Sequence, residues 1–117
     1  MKILIIINDS PYGTEKAYNA FRLANQFVKD YSESTVNIFL LADAVVCGIQ
    51  DQKTPDGYYN IGRMIKLFNT KGGQIKACGS CMEARGIRTE MLQSGVQKGS
   101  MQELALWVFE ADKEITF

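Results

Sequence analysis

The sequence contains no histidine. That excludes Ser-His and Cys-His catalysis and imidazole metal ligation within one chain. It has no surplus of charge either, because 13 Lys+Arg balance 13 Asp+Glu. No basic patch or run stands out, which argues against nucleic acid or an anionic membrane surface as a partner. Apolar runs stop at about six residues, far below the roughly 20 of a membrane span. Ile3-Leu4-Ile5-Ile6-Ile7 is too short for a signal-peptide core and runs into Asn8-Asp9 rather than a small-residue cleavage site. It reads as a first strand, and the chain as cytoplasmic. Cysteine is scarce and odd in number, at three, so a secreted disulfide framework is not expected. A zinc site needs about four ligands, which three cysteines without histidine do not supply. Neither G-x-G-x-x-G nor G-x-x-x-x-G-K occurs, so dinucleotide and P-loop readings lack their fingerprint. No metal and no organic cofactor is expected.

What is present suits one soluble domain over residues 1–117. Apolar residues make up 46% and charged residues 22% of the chain, ordinary globular values. Residues 3–7 form the continuous branched run of a strand buried on both faces. A turn cluster at 10–14 follows, with Thr14 as N-cap of a helix over about 14–31 that carries Ala17, Ala20, Phe21, Ala24, Phe27, Val28 and Tyr31 on one face. Residues 36–41 read as a second buried strand and 42–48 as a short apolar helix stopped by Gly48. Residues 50–57 are polar, a candidate mobile loop. A helix over about 58–71 has Tyr58, Ile61, Met64, Ile65 and Phe68 as its stripe and ends at Gly72-Gly73. In the 87–99 region, Ile87, Met91, Leu92 and Val96 supply a short strand. Ser100-Met101-Gln102-Glu103 is a capping box that opens a helix to about Glu110, and 115–117 form a terminal strand. Such alternation predicts a parallel, five-stranded sheet covered by helices on both sides, an α/β class with three α/β/α layers. Ligands in such sheets sit at the carboxyl ends of the strands.

The stretch with chemical promise is Gln74-Ile75-Lys76-Ala77-Cys78-Gly79-Ser80-Cys81-Met82-Glu83-Ala84-Arg85-Gly86. It reads as a strand ending on Cys78, with Ser80 as N-cap, Glu83 as its capping-box partner and Cys81 as the first helical residue. Unpaired amides at a helix start favour thiolate over thiol. Cys78 is therefore the candidate nucleophile and Cys81 its resolving partner or a packed neighbour. The competing reading is two small apolar residues at a tight turn. The pocket expected around the thiol is built from Pro11, Tyr12, Gly13, Gly79, Ser80, Arg85 and Cys47. Pro11-Tyr12-Gly13 is equally readable as a plain connecting turn, Arg85 as the partner of a surface carboxylate, and Cys47 as a small buried hydrophobe.

Five stretches together resemble the DsrE/DsrF-like family, in particular its YchN-like branch. They are Asn8-Asp9-Ser10-Pro11-Tyr12-Gly13, Leu41-Ala42-Asp43-Ala44-Val45, Gly57-Tyr58-Tyr59-Asn60-Ile61, the cysteine stretch from Ala77 on, and Ala111-Asp112-Lys113-Glu114-Ile115-Thr116-Phe117. The resemblance covers essentially the whole chain. It implies a flavodoxin-like (DsrEFH-like) α/β/α fold and a homo-oligomer, trimer or hexamer. It also implies kinship with sulfur-relay subunits of tRNA thiolation and dissimilatory sulfur oxidation. In those relatives a cysteine at the end of the third strand takes up sulfane sulfur as a persulfide, and by position it matches Cys78. Cys81 matches the second cysteine, which many relay members lack. The implied partners are sulfur donor and acceptor proteins. A dithiol redox or sensor module using Cys78 and Cys81, and an oligomeric binding module without catalysis, are the competing functions.

Overall fold

The computed structural model describes residues 1–55 and 59–117. Five strands form one parallel sheet: β1 (Lys2–Ile7), β2 (Thr35–Leu40), β3 (Gln74–Cys78), β4 (Val96–Gly99) and β5 (Lys113–Thr116), in the order β4-β3-β2-β1-β5. The chain steps from β1 to β4 in one direction, then returns past the whole sheet to set β5 on the free side of β1. Among the described residues four helices accompany it: α1 (Lys16–Asp30), α2 (Ile61–Thr70), α3 (Gly79–Ala84) and α4 (Met101–Glu110). A 3₁₀ segment, Ala42–Gly48, follows β2.

The expected α/β/α layering is present. Ile3, Leu4, Ile5, Ile6 and Ile7 are all buried, as a central parallel strand requires. Each such side chain contributes roughly 1.5–3 kcal/mol on burial. α1 and α2 pack together on one face, where Asn25 donates to the Phe21 and Met64 carbonyls at 3.0 and 3.2 Å. On the other face α4 sets Trp107 edge-on to Phe39, with centroids 6.1 Å apart. The Lys76 ammonium lies 5.0 Å over the Trp107 ring and pairs with Glu103.

The Ser100–Glu103 capping box is formed in both directions. Elsewhere the boundaries shift. α1 begins at Lys16, with Glu15 at its N-cap and no side-chain cap. Thr14 lies one residue ahead of the cap; its hydroxyl donates to the Asp9 carboxylate at 3.0 Å and accepts the Lys16 amide at 3.4 Å. α2 starts at Ile61, because Asn60 caps it by accepting the Arg63 amide at 3.0 Å. The region 87–99 resolves into a 3₁₀ turn, Thr89–Met91, and β4. Tyr58 and the end of the polar loop lie outside the described residues.

Candidate functional site

β3 delivers Cys78 to the carboxyl edge of the sheet. Its last pairing is with Gly99 of β4, and the chain turns into α3 at the next residue. The turn is tight: a Cβ on Gly79 would stand 2.8 Å from the Lys98 side chain and 3.1 Å from the Gly99 carbonyl.

The helix cap is the finding that changes the expected chemistry. Ser80 was the expected N-cap, but the cap residue is Cys78, whose sulfur accepts the Cys81 amide at 3.3 Å. Cys81 is therefore the third helical residue rather than the first. Glu83 does not fold back to close a capping box; its carboxylate meets Lys98 at 3.3 Å. The Ser80 hydroxyl, exposed to solvent, lies 3.3 Å from Cys78 Sγ.

Cys78 is thus a sulfur surrounded by donors. Burial pushes its thiol up, but hydrogen bonds from the Cys81 thiol, the Ser80 hydroxyl and the Cys81 and Ser80 amides outweigh burial. They hold it below the ordinary 9.0. Hydrogen bonds to the charged form favour that form, and a helix mouth adds its dipole. Cys81 goes the other way. Burial, its hydrogen bond to Cys78 and the Cys78 charge raise it, against the opposing Ala42 amide and Arg85. The two thiols are therefore pushed in opposite directions, with Cys78 the readier of the pair to ionise.

Two residues that sequence reasoning passed over complete this cluster. Ala42, at φ +50°, donates its amide to Cys81 Sγ at 3.3 Å. Asp43 accepts from Arg85 at 2.9–3.0 Å, while Arg85 Nη1 also donates to the Cys81 carbonyl at 3.0 Å. Both lie in the Leu41–Val45 stretch singled out after β2. A left-handed alanine leaves no mark in a sequence, since the region favours glycine or asparagine.

The remaining pocket residues fall in a separate place. Tyr12 lines a cavity of about 350 Å³ with Lys53, Thr54, Pro55 and Tyr59. Pro11, Tyr12 and Gly13 also wall an adjoining one with Thr14, Glu15 and Tyr59. Cys78 and Cys81 line neither. Cys47, 1% exposed, lies between the two clusters on the 3₁₀ segment and directs its thiol to the Asp9 carbonyl at 3.9 Å. Burial pushes it up to about 12. Tyr12 is raised by its own burial and by the nearby Cys47. Among the described residues, no three cysteine or carboxylate side chains converge into a metal-holding group, and no helix is long and apolar enough to cross a membrane.

The model of the DsrE/DsrF-like family matches residues 1–117. The chain belongs to that family. The protein YchN of Escherichia coli (strain K12) is 40% identical over 116 residues, covering 99% of this chain and 98% of that protein. The uncharacterized protein MJ0989 of Methanocaldococcus jannaschii is 37% identical over 117 residues, covering all of both chains. The crystal structure of the E. coli YchN protein superposes with a TM-score of 0.95 at 39% identity, over 100% of this chain and 99% of that one. MTH1491 of Methanobacterium thermoautotrophicum, at 14% identity, shares the fold with a TM-score of 0.79, covering 99% of this chain and 97% of that one. Family membership links the chain to sulfur-relay proteins, while none of these relatives' names specifies persulfide transfer.

Proposed function

We propose that this protein is a small cytoplasmic sulfur acceptor that takes sulfane sulfur onto Cys78 as a persulfide and yields it to a second thiol. The single observation that carries the reading is the convergence of the Cys81 amide and the Ser80 hydroxyl on one sulfur at a helix mouth. A thiolate is the nucleophile in such transfer. It attacks the terminal sulfur of a donor persulfide, and the donor leaves with the electron pair as its own thiolate. The Cys78 residue is only 3% exposed, bordered by exposed Ser80 and half-exposed Cys81. That opening suits the slim end of a persulfide better than a bulky electrophile. Free thiols at all three positions are in keeping with a reducing compartment.

Incubation of the reduced protein with glutathione persulfide, followed by intact mass measurement, tests the reading. Cys78→Ser abolishes uptake of sulfur; a variant that loads at the wild-type rate refutes it.

A self-associated state is supported by α4. It exposes Met101 (62%), Leu106 (53%), Val108 (45%) and Phe109 (89%), and large exposed apolar side chains gathered on one element suit an interaction surface. A second reading, a dithiol that cycles through a Cys78–Cys81 disulfide without passing sulfur, is favoured by the placement of both cysteines on the first turn of α3.

A further inference from the structure

We infer that Cys81 discharges the sulfur that Cys78 accepts, releasing it as hydrogen sulfide, so that the pair reduces sulfane sulfur rather than merely storing it. The inference rests on Cys78 being the accepting thiol and goes beyond it in naming the product and the residue that sets it free.

A carrier must keep its persulfide until the recipient docks. Here a second thiol stands beside the carrying sulfur: Cys81 donates its amide to Cys78 Sγ at 3.3 Å, which sets its side chain on the same turn. The two residues span the first turn of α3, from N-cap to third helical position. Such residues have Cα atoms roughly 5–6 Å apart, inside the window a disulfide requires. Cys81 is also fixed from its far side. The Ala42 amide reaches its sulfur at 3.3 Å, and Arg85 ties its carbonyl to Asp43. A sulfur held on the same helical turn reacts with the advantage of an intramolecular neighbour, which no diffusing recipient matches.

The step balances without any further reagent. Cys78 carries the added sulfur as an anion, Cys78–S–S⁻, beside the Cys81 thiol. Cys81 Sγ bonds to Cys78 Sγ, the bond from Cys78 Sγ to the terminal sulfur breaks, and that sulfur departs with the electron pair. The Cys81 proton moves onto it. The products are the Cys78–Cys81 disulfide and HS⁻, with one negative charge on each side. The two cysteines lose two electrons and the terminal sulfur gains them. Attack at the outer sulfur would only shuttle the cargo to Cys81. Attack at the inner sulfur expels hydrosulfide, a leaving group of low pKa, and thiols of lower pKa leave faster. A thiol or dithiol reductant then restores the pair for another round.

A single turnover decides the matter. The reduced, desalted protein receives one equivalent of glutathione persulfide with no other thiol, and both trapped sulfide and intact mass are followed. For the wild type we expect one sulfide per chain and a protein two hydrogens lighter. For Cys81→Ser, and for Cys81→Ala as a second variant, we expect a protein one sulfur atom heavier and sulfide no higher than with Cys78→Ser. If the wild type keeps its added sulfur as long as the Cys81 variants do, the inference falls and the acceptor role of Cys78 stands. If neither wild type nor Cys81 variants load, the acceptor role itself fails and takes the inference with it.

Discussion

Cys47 and Cys78 are almost equally hidden, at 1% and 3% exposure, and their chemistry is opposite. Cys47 donates to one distant carbonyl, and its own backbone amide opposes burial too weakly; burial dominates and pushes the thiol up to about 12. Cys78 sits at a helix mouth where amides, a hydroxyl and a thiol point at it, and its thiol falls below the ordinary value. Burial therefore does not decide which cysteine is reactive. The orientation of nearby hydrogens does, because a desolvated anion is tolerated only where donors replace the lost water.

The comparison is open to attack first through reactivity. In the native protein at neutral pH, a small alkylating agent modifies the Cys78–Cys81 pair and leaves Cys47 untouched until the chain unfolds. With its thiol at about 12 rather than 9.0, Cys47 offers about a thousandfold less thiolate than an unperturbed cysteine. Peptide mapping before and after denaturation reads the difference, and early labelling of Cys47 would erase the contrast.

Stability against pH sharpens it next, since the two thiols carry opposite signs. Cys47 is raised on folding, so its contribution is whole below 9.0 and is lost as pH climbs toward about 12. The loss is as much as about 4 kcal/mol across that window. Cys78 is lowered, so its contribution is whole above 9.0 and is lost as pH falls through its folded value. Denaturant titrations across alkaline pH should show the Cys47 decline, and Cys47→Ala should flatten it. An unchanged slope would mean that Cys47 is hydrated in solution.

The smallest effect isolates one donor. Ser80→Ala removes the hydroxyl 3.3 Å from Cys78 Sγ, a hydrogen bond worth about 0.5–1.5 kcal/mol. It should raise the pH midpoint of Cys78 thiolate absorbance while leaving thermal stability nearly intact. No movement of that midpoint would assign the lowering to the backbone and Cys81 alone.

Much of this architecture was legible in the residues. An unbroken Ile-Leu run belongs in the middle of a parallel sheet, and the Ser100–Glu103 box opened its helix where expected. The strand ending on Cys78 also stands where the pattern put it. The misreadings were local contests between equally qualified polar groups. Ser80 satisfied the capping rule on paper, yet β3 holds its register through Cys78↔Gly99. The helix therefore begins at Gly79, two residues earlier than expected, and the sulfur does the capping. Thr14 falls one residue short of the cap, its hydroxyl bridging the Lys16 amide and the Asp9 carboxylate. The left-handed Ala42 and the Asp43–Arg85 tie depend on contacts between segments about 40 residues apart, which no local pattern encodes. The strand order is of that kind too, since nothing in β5 announces that it crosses back to lie against β1.

A cap made of sulfur makes the first turn of α3 an indicator of its own chemistry. Whenever Cys78 is thiolate, persulfide or disulfide, the proton on the Cys81 nitrogen faces a different acceptor, and its resonance frequency must move. The oxidation history of the site is written into one backbone nitrogen, readable in solution without a label, a dye or an added substrate.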